Sequence, residues 1–131
     1  MPRVRKQFAM LEEVLAGLPG ADVRMEHRPK RYKFGCLNYG EVCNDAWYNA
    51  ADGDKFDVFA PGFNNVLAPG TYRCLNVVGV LKLKNGNDKI AIRLAGVPGY
   101  DDARASREIL RYATEYTRKM KMEGVWELHD Q

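Results

Sequence analysis

Apolar residues recur at Val4, Phe8, Leu11, Leu15 and Leu18, three or four positions apart, which is the spacing of one face of an α-helix. Pro19-Gly20 closes that run, so the pattern predicts an amphipathic N-terminal helix within residues 1–20. From Val23 the period changes. Val23, Met25 and His27 alternate with Arg24, Glu26 and Arg28, the two-residue period of a strand. Pro29 interrupts that strand or turns it into a second one at Arg31-Tyr32-Lys33-Phe34. Residues 35–57 are rich in Gly, Asn, Asp and aromatic residues and read as loops with short strands.

Beyond the turn signals Pro61-Gly62 and Pro69-Gly70 lie the clearest strands. One runs over 71–84 with Tyr72, Leu75, Val77, Val78, Val80 and Leu81, and the next over 89–94 with Ile90 and Ile92. Asn85-Gly86-Asn87 between them is a hairpin turn. A last helix over 102–122, capped by Asp101 or Asp102, carries Ile109, Ala113, Tyr116 and Met120 on one face. Gly124 ends it, and Val125-Trp126-Glu127-Leu128 fits a short closing strand. Helices at both ends of a meander of strands predict an α+β fold. The expected form is a small OB-like, partly closed antiparallel β-barrel, with residues 22–95 supplying its strands and loops.

The 131 residues fit a single domain that can bury a core without staples. A net charge of +3 is too weak to imply nucleic acid but suits a small anionic substrate. Cys36, Cys43 and Cys74 are odd in number and irregular in spacing, with no CxxC pair. That argues against zinc and against a secreted disulfide framework, and it leaves three reduced thiols. With no apolar run of signal-peptide or membrane-spanning kind, the expectation is a cytoplasmic protein with no membrane partner.

The segment that asks for chemistry is Asp52-Gly53-Asp54-Lys55-Phe56-Asp57. Asp52 and Asp54 share a face on an extended chain, and Asp57 joins them only if the chain bends between. Gathered carboxylates repel, and a divalent cation relieves the repulsion; hard oxygen ligands suit Mg²⁺ or Mn²⁺. A solvated Asp-rich turn accounts for the spacing equally well.

In its wider order the chain resembles the soluble inorganic pyrophosphatases. That family carries Asp-x-Asp-Pro-x-Asp, then a turn, a Pro-Gly, and a strand ending Gly-Val-Leu-Lys. Here the same order reads from Asp52 through Asp57 and Pro69-Gly70 to Gly79-Val80-Leu81-Lys82. Asn38-Tyr39-Gly40 matches the family's upstream triplet, and Asn87-Asp88-Lys89 its downstream Asp-x-Lys. Tyr116, Lys119 and Trp126 echo its C-terminal helix and tryptophan. The resemblance spans residues 23–128 and makes the chain one pyrophosphatase-like domain.

It implies Mg²⁺-dependent hydrolysis of pyrophosphate to two phosphates, with Mn²⁺ as an alternative metal. Asp52 and Asp57 would be metal ligands, Asp54 the base for the attacking water, and Tyr39, Lys89 and Lys119 the groups facing phosphoryl oxygens. Asp88 is the expected third metal carboxylate, with Asn87 at the turn; anchoring the match on the lysine instead places Asn87 in that position. Three departures stand out. The signature proline is Lys55, the acidic hairpin after Gly-Val-Leu-Lys is shortened to Lys84-Asn85-Gly86-Asn87, and the hairpin that supplies a phosphate-binding arginine is missing. Arg28 or Arg31 is left to take that arginine's place. Two other classes stay open. One is a degenerate relative that binds metal or phosphate without fast turnover. The other is a small basic barrel holding single-stranded nucleic acid, against which the carboxylates argue. Nothing in the sequence decides whether the chain is a homo-oligomer.

Overall fold

The computed structural model describes residues 7–26, 30–32, 35–61, 67–97, 102–120 and 123–129. In chain order it contains α1 (Leu11–Gly17), β1 (Asp22–Met25), β2 (Lys30–Tyr32), β3 (Gly35–Val42), β4 (Asp57–Pro61), β5 (Gly70–Leu83), β6 (Lys89–Leu94), α2 (Asp102–Met120) and β7 (Gly124–Leu128).

The strands pair in the order β1-β3-β4-β6-β5, and β5 pairs back onto β1, so five strands close into a barrel. The barrel is mixed rather than wholly antiparallel, because β4 and β6 run parallel, with Asp57 opposite Lys89 and Val58 opposite Ile90. β2 adds to β3 and β7 adds to β5 outside the ring. The expected α+β barrel with flanking helices is therefore the fold, and it is fully closed.

Two apolar layers hold it. Val23, Met25, Val42, Val58, Cys74, Val77, Ile90 and Ile92 fill the interior, and Val14 and Leu18 join the same cluster from α1 and the turn after it. On the outer wall Phe59, Val78 and Ala91 are covered by Ile109 and Tyr112 of α2. The Phe59 and Tyr112 rings sit 5.7 Å apart at a tilt of 57°. Covering both faces explains why Val77-Val78-Gly79-Val80-Leu81 does not alternate: every residue in that run is buried, inward or outward. Register shifts between Cys74 and Asn76 and between Val77 and Gly79 bend β5 where it passes from β1 to β7.

Two elements differ from the sequence expectation. The first helix begins only at Leu11: Phe8 is extended and bridges Tyr48 instead, and the Glu13 carboxylate accepts the Met10 N–H at 3.3 Å to start the helix. β3 is a continuous eight-residue strand where the sequence reads as loops with short strands. No helix among the described residues is long and apolar enough to cross a membrane.

Candidate functional site

The triplet Asn38-Tyr39-Gly40 divides its work by strand alternation. Asn38 is buried, and its Oδ1 accepts the Leu67 N–H at 3.0 Å, pinning the segment that leads into β5. Tyr39 points to the opposite, outer wall, beside Phe59 and Tyr112. Gly40 lies where β3 crosses β1 so closely that a Cβ there would stand 2.9 Å from the Arg24 carbonyl carbon and the Met25 Cα.

On the same outer wall the parallel pairing of β4 with β6 sets Asp57 beside Lys89. The Lys89 ammonium is ion-paired with the Asp57 carboxylate. It also donates to the Tyr39 hydroxyl at 3.5 Å and to Asn87 Oδ1 at 3.3 Å. Lys89 is 5% exposed. Burial, then the Asp57 charge and a hydrogen bond to Asp57, hold the Tyr39 phenol far above its ordinary pKa, so it stays protonated across the physiological range. Four groups from three strands and a hairpin thus form one hydrogen-bonded quartet: Tyr39, Asp57, Asn87 and Lys89.

The acidic turn adjoins this hairpin. Buried Asn49 donates from Nδ2 to the Gly86 carbonyl at 3.1 Å, and its Oδ1 accepts the Ala51 N–H at 3.0 Å. A Cβ on Gly86 would come 3.3 Å from that of Ala51. Within the turn Asp52 Oδ1 accepts the Asp54 N–H at 2.9 Å, with Gly53 at φ 77° to let the chain reverse. Asp52 and Asp54 are exposed. Lys55, in the place of the signature proline, turns away to the Cys43 carbonyl at 3.0 Å and to Asp45 at 2.9 Å.

Asp88 does not join the quartet. Neighbouring residues entering a strand face opposite ways, so Asn87 bonds to Lys89 while Asp88 Oδ1 accepts the Leu83 N–H at 2.9 Å. Lys119 is exposed in the last turn of α2. Arg31 stands opposite Cys36 in the β2–β3 ladder, and Arg28 lies outside the described residues.

These placements test the metal that the resemblance implies. Asp57 is bonded to Lys89, Asp52 to its own turn and Asp88 to Leu83. Among the described residues no three His, Cys, Asp or Glu side chains gather closely enough to hold an ion. The arrangement does not fit a Mg²⁺ held by protein carboxylates. Asn49, which sews the turn to the hairpin, is a residue that sequence reasoning misses; an Asn at the start of a turn, able to accept the N–H two residues on, is its only signal. No family model, no curated protein and no solved structure matches the chain.

Burial raises the pKa of Asp88 above the ordinary aspartate value, against a smaller opposing pull from the Leu83 N–H and from Lys82 and Lys89. A carboxyl whose pKa is higher folded than unfolded favours the fold most when protonated, and that contribution is lost as pH rises through the folded pKa. Asp88→Asn keeps an oxygen for the Leu83 N–H and cannot ionise. It is expected to melt higher than the parent at pH 7, with the gap shrinking as pH falls toward the ordinary aspartate range. Thermal unfolding of both proteins across that range checks this; a gap that does not change with pH contradicts it.

Proposed function

We propose that this chain is a pyrophosphatase-like barrel that binds a diphosphate-class anion and does not turn it over at a hydrolase's rate. The observation that carries the reading is the charge balance of the quartet. Asp57 is matched by Lys89, and the hairpin side chain bonded to that lysine is a neutral amide, Asn87, which takes the third acidic position of the family pattern if the match is anchored on the lysine. A wall of bare carboxylates repels phosphate until metal arrives; a neutral wall does not. With its oxygen on Lys89, the half-exposed Asn87 amide has N–H donors to offer an anion. The resemblance adds Lys119 as the arriving cation.

A second reading, Mg²⁺-dependent hydrolysis of pyrophosphate, is favoured by one observation. The exposed Asp54, the base in the family pattern, sits in the turn that Asn49 ties to the hairpin. Titration calorimetry with diphosphate and phosphate-release assays, each with and without Mg²⁺, separate the two. Saturable diphosphate binding with slow or no release supports the binding reading. Rapid Mg²⁺-dependent release that Asp54→Asn lowers by about 10²–10⁴-fold would replace it with the hydrolase. No binding of diphosphate in either condition rejects both.

A further inference from the structure

We propose that the Lys89 ammonium is the resident cation of this site and engages the Asp57 carboxylate that the resemblance assigns to a divalent metal. An ammonium carries three N–H donors and no acceptor. Lys89 has three oxygen partners from three elements: the Asp57 carboxylate on β4, the Tyr39 hydroxyl on β3 and the Asn87 amide oxygen at the hairpin. One of the three is anionic and two are neutral, so the cage matches a single positive charge. The lysine is 5% exposed, and its position is fixed by the Asp57–Lys89 register of the parallel pair. A divalent ion at Asp57 would have to displace a buried ammonium, or stand beside it and be repelled. It would also meet Asn87 where a carboxylate is needed to balance its second charge. The hairpin sequence Asn87-Asp88-Lys89 decides this: the residue in phase with Lys89 is the amide, and the carboxylate of Asp88 is directed to Leu83.

The inference goes beyond the binding reading and does not depend on which anion the protein takes. Its test uses metal alone. Mn²⁺ binding is followed by loss of the free-ion electron paramagnetic resonance signal, with the parent, Asp52→Asn and Asp54→Asn. The last two alter exposed side chains and leave the quartet intact. The expected result is no saturable Mn²⁺ binding by the parent at submillimolar concentration, and no Mg²⁺-dependent rise in its thermal midpoint at constant ionic strength. Binding that persists unchanged in both variants and in a Lys89→Met/Asp57→Asn double variant lies outside the signature and upholds the proposal, whereas binding that the double variant alone loses places an ion on Asp57 and overturns it. Saturable binding that Asp52→Asn or Asp54→Asn removes puts a metal on the signature and overturns it. Diphosphate enters neither readout, so failure here leaves the binding reading standing, and failure of diphosphate binding leaves this proposal standing.

Discussion

Lys89→Met is expected to cost about 3–5 kcal/mol of folding stability, the usual penalty for removing one partner of a buried ion pair. Lost packing of the methylene stem is a minor part, since methionine fills much the same volume. The larger part is what remains: a mostly buried Asp57 carboxylate, 18% exposed, with its counter-charge gone and the Tyr39 phenol unable to supply one. Asp57→Asn strands the ammonium instead, with a penalty of the same kind. The pair is separable from its environment by a double-mutant cycle. Combining Lys89→Met with Asp57→Asn leaves no buried charge, and the amide introduced at position 57 can still bond to Tyr39. The double variant should therefore lose much less than the sum of the single losses. A coupling of about 2 kcal/mol or more is expected, within the range for residues in direct contact. Urea midpoints with unchanged slopes give the numbers. Additive losses would mean that the two side chains do not depend on each other, and the quartet as described would be wrong.

Gly40→Ala is the second large effect, and it has nothing to do with chemistry at the site. Gly40 faces Met25 across the β1–β3 ladder, and β1 is the strand that also pairs with β5 to close the ring. The atoms that an alanine Cβ would meet are backbone: the Arg24 carbonyl and the Met25 Cα. No rotamer change relieves that clash, so β1 itself must move away from β3, at the expense of its pairing with β5. Overpacking of this kind costs about 1–3 kcal/mol, and the absence of a yielding side chain puts Gly40→Ala at the top of that range or above it. Gly53→Ala is the control. Nothing lies within 4 Å of a Cβ there, and its cost comes only from the φ of 77°. Chemical denaturation of both variants checks the ranking; Gly40→Ala as stable as the parent would mean that the barrel is not closed at this crossing.

The Asn-Tyr-Gly triplet thus carries one residue for the wall and two for the frame, a division the sequence alone does not reveal. Local signals serve well wherever the structure is local. The Asn85-Gly86-Asn87 tip, the flanking runs of β5 and β6, and the helical face with Ile109 all lie where their periods place them. The full length of β3 is hidden because Gly35, Asn38 and Gly40 are poor strand formers taken singly. Gly40 is there because another backbone leaves no room for a side chain, and that is visible only once β1 is in place. The parallel β4–β6 pair is illegible for a related reason, since it joins residues with a whole strand between them in sequence. At the site, the one-residue choice between Asn87 and Asp88 needs the phase of β6, which no composition or spacing supplies. Once Lys89 faces the outer wall, strand alternation sends Asp88 elsewhere.

Closing five strands into a ring also removes their open ladder edges, where a sheet can recruit a foreign chain. Among the described residues two strand edges remain outside the ring. β2 is only three residues long and reads Lys30-Arg31-Tyr32, short and cationic, both of which discourage intermolecular pairing. β7 is longer and carries exposed Val125 and Leu128, while its one anionic side chain, Glu127, is engaged with Lys82 at 3.0 Å. Of the two, β7 is the less defended against unwanted self-association, so the hazard falls on a single five-residue strand.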